Sequence, residues 1–315
     1  MKLFLSIVLV CTFGICMITN VQAQQDPQYT QYMYNTAALN PGYTGSKGIL
    51  EATLLHRSQW VGIDGAPETQ SLSVLGKLKE KMGLGLTVVN DNIGAANAID
   101  VNGLFAYEIA TGYKTKLSFG LNAGIDVLKV DWSKGTFEDD LDPIFAENLN
   151  KIRPVLGAGV FFYSDRWYLG ASTHNFLNSQ LYNDNEETVT DRKSQYYFMA
   201  GYVMNLSNSL KFKPAILTKH VSGAPITFDF SANFLLQEKV TLGLAYRYDD
   251  ALSALAGLYI SKNFFNIVYF SLRVLSDSCD VLRQYPMICL LPIALRSVHF
   301  SCSKMFSIIA IKRFI

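Results

Sequence analysis

The chain has 315 residues, 50% of them hydrophobic and only 17% charged, with a net charge of +1. That balance excludes a disordered chain, which needs low hydrophobicity and high net charge. It also excludes a nucleic-acid partner, because no basic excess exists to meet phosphates.

The N-terminus reads as an export signal. Met1-Lys2 supplies a short positive start, Leu3 to Ile18 an apolar stretch, and Val21-Gln22-Ala23 a cleavage site with compact residues. Cleavage is expected after Ala23, so residues 1–23 form the signal peptide and the mature chain begins outside the cytoplasm. Residues 24–47 follow as a Tyr- and Pro-rich segment. Tyr29, Tyr32 and Tyr34, bounded by Pro27 and Pro41, suit no helix and precede the first clear strand. A phenol ring with a hydrogen-bonding tip serves equally to plug a lumen, line a membrane interface or meet a partner, and those readings stay open.

From residue 48 the period is two. Leu117, Phe119, Leu121, Ala123, Ile125 and Val127 alternate with Ser118, Gly120, Asn122, Gly124 and Asp126. A helix could not keep those apolar residues on one face. Met82–Val88, Ile226–Phe234 and Val240–Tyr248 alternate in the same way. These lengths approach the roughly 9–11 residues that a tilted strand needs to cross a bilayer. In lipid, backbone groups must be paired internally, so strands can span only as a closed barrel. Ser164-Asp165, Gln237-Glu238 and Asp249-Asp250 are short polar links of hairpin type. Ser133–Asn150 and Asn178–Lys193 resemble the longer loops at one barrel end. The expected fold is all-β, a transmembrane antiparallel barrel of about twelve to fourteen strands over residues 48–265. Asn122, Asp126, Asp229 and Asn233 are assigned to the lumen, and Phe119, Ile125, Phe228 and Phe230 to lipid.

The five Cys stand at 11, 16, 279, 289 and 302, so the body of the chain has no disulfide framework. No paired Cys or His spacing suggests zinc. The acidic stretches Glu138–Asp142 and Asn183–Glu187 lack the spaced ligands of a calcium loop and read as solvated surface. No catalytic residue, cofactor or metal is assigned. Ser172-Thr173-His174-Asn175 has the residue types of a barrel lipase but lacks any accompanying nucleophile motif. Lys219-His220 is expected to end a strand at the interface.

Three spaced motifs carry a family resemblance. They are Gln25-Asp26-Pro27-Gln28-Tyr29-Thr30-Gln31-Tyr32-Met33-Tyr34-Asn35 leading to Leu39-Asn40-Pro41-Gly42-Tyr43; His56-Arg57-Ser58-Gln59-Trp60-Val61-Gly62 with Gly65-Ala66-Pro67; and Gly83-Leu84-Gly85-Leu86 with Asn90-Asp91-Asn92-Ile93-Gly94. From Gln24 to about Phe265 the chain resembles the PorP/SprF family of the type IX secretion and gliding apparatus. The resemblance implies a non-catalytic outer-membrane barrel that meets outer-membrane lipids and either other secretion components or secreted surface adhesins. A diffusion channel for small solutes is the alternative, since it needs the same lipid face. The candidate plug or partner surface comprises Tyr29, Tyr32, Tyr34, Asn35, Asn40 and Pro41. Of the motif residues Arg57, Trp60, Gly62 and Pro67, Arg57 is read as a lumen charge, Trp60 as an interfacial anchor, and Pro67, with Gly65 and Ala66, as a turn.

Residues 266–315 depart from the pattern. No Gly follows Gly257, three of the five Cys fall here, and alternation is lost. A shifted reading frame near Phe265 or Asn266 accounts for these features together, with a divergent tail as the other possibility.

Overall fold

The computed structural model describes residues 35–59, 62–134, 148–177, 194–221, 224–248, 250–259, 270–275 and 304–312, the last two segments by their backbone. The expected signal peptide, Tyr29, Tyr32, Tyr34, Trp60, both acidic stretches and the cysteines lie outside the described residues.

The strands are β1 (Leu50–Ser58), β2 (Glu68–Lys79), β3 (Met82–Ile93), β4 (Ala96–Ala110), β5 (Lys116–Val130), β6 (Leu149–Tyr163), β7 (Trp167–Thr173) and β8 (Gln195–Tyr202). They continue with β9 (Met204–Ser207), β10 (Leu210–Val221), β11 (Thr227–Leu236), β12 (Val240–Arg247), β13 (Ala251–Leu258), β14 (Phe270–Leu275) and β15 (Lys304–Lys312). Each strand pairs antiparallel with its neighbours, in the order β14-β13-β12-β11-β10-β8-β7-β6-β5-β4-β3-β2-β1-β15, with β9 also on β10. This is the outer-membrane type of antiparallel barrel that the period-two pattern predicts. Edge strands β14 and β15 approach each other.

The expected loop Ser133–Asn150 is shorter than its polarity suggested, because β6 already begins at Leu149 and pairs it with Val130. In the tail, β14 pairs with β13 and β15 with β1, so strand pairing continues beyond the boundary expected at residue 265.

Pro214 explains the separation of β8 from β9. Both pair with β10, β8 from Ala215 onward and β9 as far as Phe212. Proline has no N–H to give the ladder, and the two strands break on either side of it. Counted as one interrupted strand, β8 and β9 bring the strands among the described residues to fourteen, an even number as in single-chain outer-membrane barrels.

One end carries short links at Glu80-Lys81, 164–166, Asn208-Ser209 and 237–239; the other carries the longer connections 59–67, 131–148 and 174–194 beside the short links 94–95 and 248–250. Short turns mark the periplasmic end of such barrels and long loops the outer end.

Phe119, Ile125, Phe228 and Phe230 are exposed on the outer face, while Asn122, Asp126, Asp229 and Asn233 are buried inside, as the alternation requires. The inner face is polar but closely filled. Ser73, Asn102, Asn122 and Asp126 each expose 1% and Ser253 2%. Three inward Asn lie directly across from a glycine, as Asn102–Gly124, Asn122–Gly157 and Asn233–Gly243. A Cβ on any of these glycines would overlap the Asn side-chain oxygen.

Candidate functional site: the lumen and its N-terminal segment

Residues 35–48 do not lie outside the wall. Two short 3₁₀ turns, Thr36–Ala38 and Pro41–Tyr43, fold this segment within the barrel. Pro41 suits the first position of its turn because its fixed φ matches and no N–H is needed there. Asn40 caps that turn, its side-chain oxygen accepting from Gly42 N at 2.8 Å.

The segment touches opposite walls. Asn35 donates to Ser71 Oγ at 3.5 Å and accepts from Ser73 Oγ at 3.1 Å, both on β2. Leu39 packs with Phe161, Tyr197, Met199, Ala215 and Leu217 on β6, β8 and β10. Its carbonyl accepts from Ser172 Oγ on β7 at 2.7 Å. Asn40, with no exposed surface, donates through Nδ2 to the Val160 carbonyl on β6 at 3.0 Å. Asn35, Asn40 and Pro41 are therefore buried together inside the barrel.

Glycines make the space. A Cβ at Gly120 would collide with Pro41 and Gly42, one at Gly159 with Asn40 and Pro41, and one at Gly83 with Thr44. Gly45, at φ 77°, takes a backbone conformation that side chains resist, and its own Cβ would meet the Gly83 backbone at 2.8 Å.

Near the periplasmic end the segment is tied by charge. Lys47 Nζ donates to Glu51 Oε1 at 2.7 Å, and the Tyr43 hydroxyl donates to Glu51 Oε2 at 3.3 Å. Burial pushes the Tyr43 phenol up to about 12, so it remains a donor near neutral pH. Beside it, Tyr163 lies against the Glu108 carboxylate and within 3.4 Å of the Ser46 carbonyl. Glu108 also meets Lys77 at 3.3 Å and Lys116 at 2.9 Å.

Toward the outer end the interior carries ion pairs. Arg247 forms two bonds to Asp229, at 2.8 and 3.3 Å, and one to Asp250 at 3.2 Å. Arg153 faces Asp126 at 3.3 Å, and His174 Nε2 lies 3.1 Å from Asp100. Pairing of this kind offsets part of the cost of burying charge.

Arg57 is buried on the inner face. Gly62 and Gly65 have positive φ in the β1–β2 loop, and Pro67 O accepts from Gln59 N at 3.0 Å; these are turn roles. Lys219 corrects an expectation. It is not interfacial but buried inward, whereas the neighbouring His220 lies outside with its ring stacked on Tyr196 at 6.3 Å. Period two on β10, which runs on to Val221, sends the pair to opposite faces.

The sequence reading did not pick out Ser71, Ser73, Ser172 or Glu51 as partners of the segment. Glycine on the inward phase of β5 and β6 was the available signal, since a missing side chain on a filled face implies something seated there.

A polar, filled interior within an apolar outer wall defines a transmembrane β-barrel with an internal N-terminal plug. The chain belongs to the family described as type IX secretion system membrane protein PorP/SprF, which it matches over residues 21–274. That match ends within β14, a few residues beyond the limit read from the motifs. Among curated proteins none matches. Among solved structures it is similar to the CymD monoaromatic hydrocarbon channel (11% identity, 91% of this chain and 93% of that one, TM-score 0.50). It is also similar to the Ralstonia pickettii toluene transporter TbuX (12%, 88% and 92%, TM-score 0.49) and a Pseudomonas aeruginosa FadL homologue (11%, 89% and 94%, TM-score 0.48).

Proposed function

We propose that the protein is a non-catalytic platform in the outer membrane that supports type IX secretion by holding partner proteins at the cell surface. The partners are other components of the secretion system or secreted adhesins. Family membership supplies the system, and one observation favours docking over conduction: inward residues around the wall are buried rather than wetted. A wide aqueous pore leaves its lining accessible, as in porins. Ser172, in the stretch with lipase-like residue types, has its hydroxyl engaged by Leu39 O, which supports the non-catalytic reading.

The alternative is a diffusion channel for small solutes. CymD bears that description for itself, but its likeness to this chain is one of fold.

Crosslinking in intact cells followed by affinity capture from envelope membranes tests the platform. Capture of a type IX component or a secreted surface protein is expected, together with loss of that surface protein when the gene is deleted. Capture of neither, with surface proteins unchanged on deletion, rules the platform out.

A further inference from the structure

We propose that Asn35–Ser46 is a seated closure that keeps this barrel from conducting solutes, held by the shape of a glycine-lined seat more than by charge. This concerns the barrel interior and does not depend on which partner the surface meets.

The seat is built from both sides. On the wall, Gly120 and Gly83 leave space that the backbone of Pro41, Gly42 and Thr44 fills, and Gly159 leaves space for the side chains of Asn40 and Pro41, closely enough that no Cβ fits at those positions. On the plug, Asn40 is completely buried and uses both ends of its carboxamide, one on Val160 O and the other on Gly42 N. The segment reaches β2 through Asn35, β3 through Thr44 and Gly45, and β6, β7, β8 and β10 through Leu39 and Asn40. It thus bridges the lumen instead of lining one side. The ion pair Lys47–Glu51 follows the segment at the periplasmic end. The bonds that Asn35, Leu39 and Asn40 make to the wall are between neutral groups. Salt screens exposed charges and leaves buried neutral contacts in place, so closure should persist in molar salt.

Two measurements on the full-length protein, purified as a heat-modifiable barrel, test this. In planar bilayers the unaltered protein is expected to show no steady conductance at low or high salt. The paired substitution Gly120→Leu and Gly159→Leu, which removes the seat, should open stepwise conductance. The second measurement does not depend on that variant folding. Asn40→Cys is introduced alone, and a water-soluble maleimide is applied, with labelling of residue 40 read by peptide mass spectrometry. In the folded barrel, labelling should be at least about tenfold slower than in denaturant, because access requires local opening. Equal labelling in both states overturns the closure. So does steady conductance of the unaltered protein matching that of the double variant. A folded double variant that conducts nothing, with residue 40 still shielded, removes the role given to the glycines. None of these outcomes bears on partner capture, so failure here is distinguishable from failure of the platform.

Discussion

Ile125 and Asn122 lie on the same strand yet meet different surroundings, Ile125 at 48% exposure on the outer face and Asn122 at 1% on the inner. Ile125→Arg sets a charge against hydrocarbon and is expected to cost ~2–4 kcal/mol near mid-bilayer. From composition alone, Asn122→Arg would be the mild change, since the lumen is polar. The structure removes that leniency. Asn122 donates to the His174 carbonyl at 3.0 Å and its side chain fills the space left by Gly157. A guanidinium there overpacks a filled interior, with an expected cost of ~1–3 kcal/mol. Asn122→Ser, smaller and still polar, should insert normally. Refolding yield into lipid vesicles, measured for all three, checks the assignment; Ile125→Arg inserting as well as Asn122→Ser would reverse the faces of β5.

At the scale of the element, the hairpin between β11 and β12 shows a local rule met with the wrong residue types. Gln237 and Glu238 have φ of 49° and 56°, and Lys239 N bonds Leu236 O at 2.9 Å. Two successive left-handed residues form the turn whose twist matches antiparallel strands, and Asn-Gly is its usual occupant. Side chains in that conformation cost roughly 1–2 kcal/mol each. Gln237→Asn with Glu238→Gly should therefore raise stability by about 1 kcal/mol, read as a higher urea midpoint for unfolding from lipid. The lost Lys211–Glu238 pair, 2.8 Å long but on the surface, offsets little of the gain. No change or a lower midpoint would mean that this turn is not strained. The position of the hairpin was legible from a short polar link between alternating runs. Its left-handed backbone was not, because neither residue type announces it.

The whole molecule depends on how its sheet ends. β13 and β1 both obtain second partners from the tail, through β14 and β15. Unpaired backbone in lipid costs several kcal/mol per group. A chain stopped after Tyr259 exposes both edges and is expected to yield no heat-modifiable, protease-resistant barrel. If the truncated chain does form one, closure does not require the tail. The tail nevertheless lacks the glycines and alternation of the earlier strands. Reading the gene in the other two frames from the codon of Asn266 should reveal a Gly- and Asp-containing hairpin ending in an aromatic residue. Absence of such a hairpin in both frames makes the tail a divergent closing segment. At the opposite terminus, mass analysis of the mature protein should find Gln24 first; retention of Met1–Ile18 would show that export does not remove this segment.

The sequence by itself determined the class of fold and the two faces of the wall. Alternation needs only adjacent residues, and β5 displays it from Ser118 to Asp126 without reference to the rest of the chain. It also carried the family, through short motifs such as Leu39-Asn40-Pro41-Gly42, that survive without structural context. What it left open was whether the Tyr- and Pro-rich segment plugs the barrel or faces a partner, because both uses favour the same residue types. Tertiary structure decided where Asn35, Asn40 and Pro41 sit, which is inside the barrel. Ser71 and Ser73, which bond Asn35, and Val160, which bonds Asn40, lie far away in sequence, and the glycines that admit the segment gain meaning only when strands β3, β5 and β6 curve around a common interior. Local pattern sets which way a side chain points, whereas the fold alone sets what it meets there.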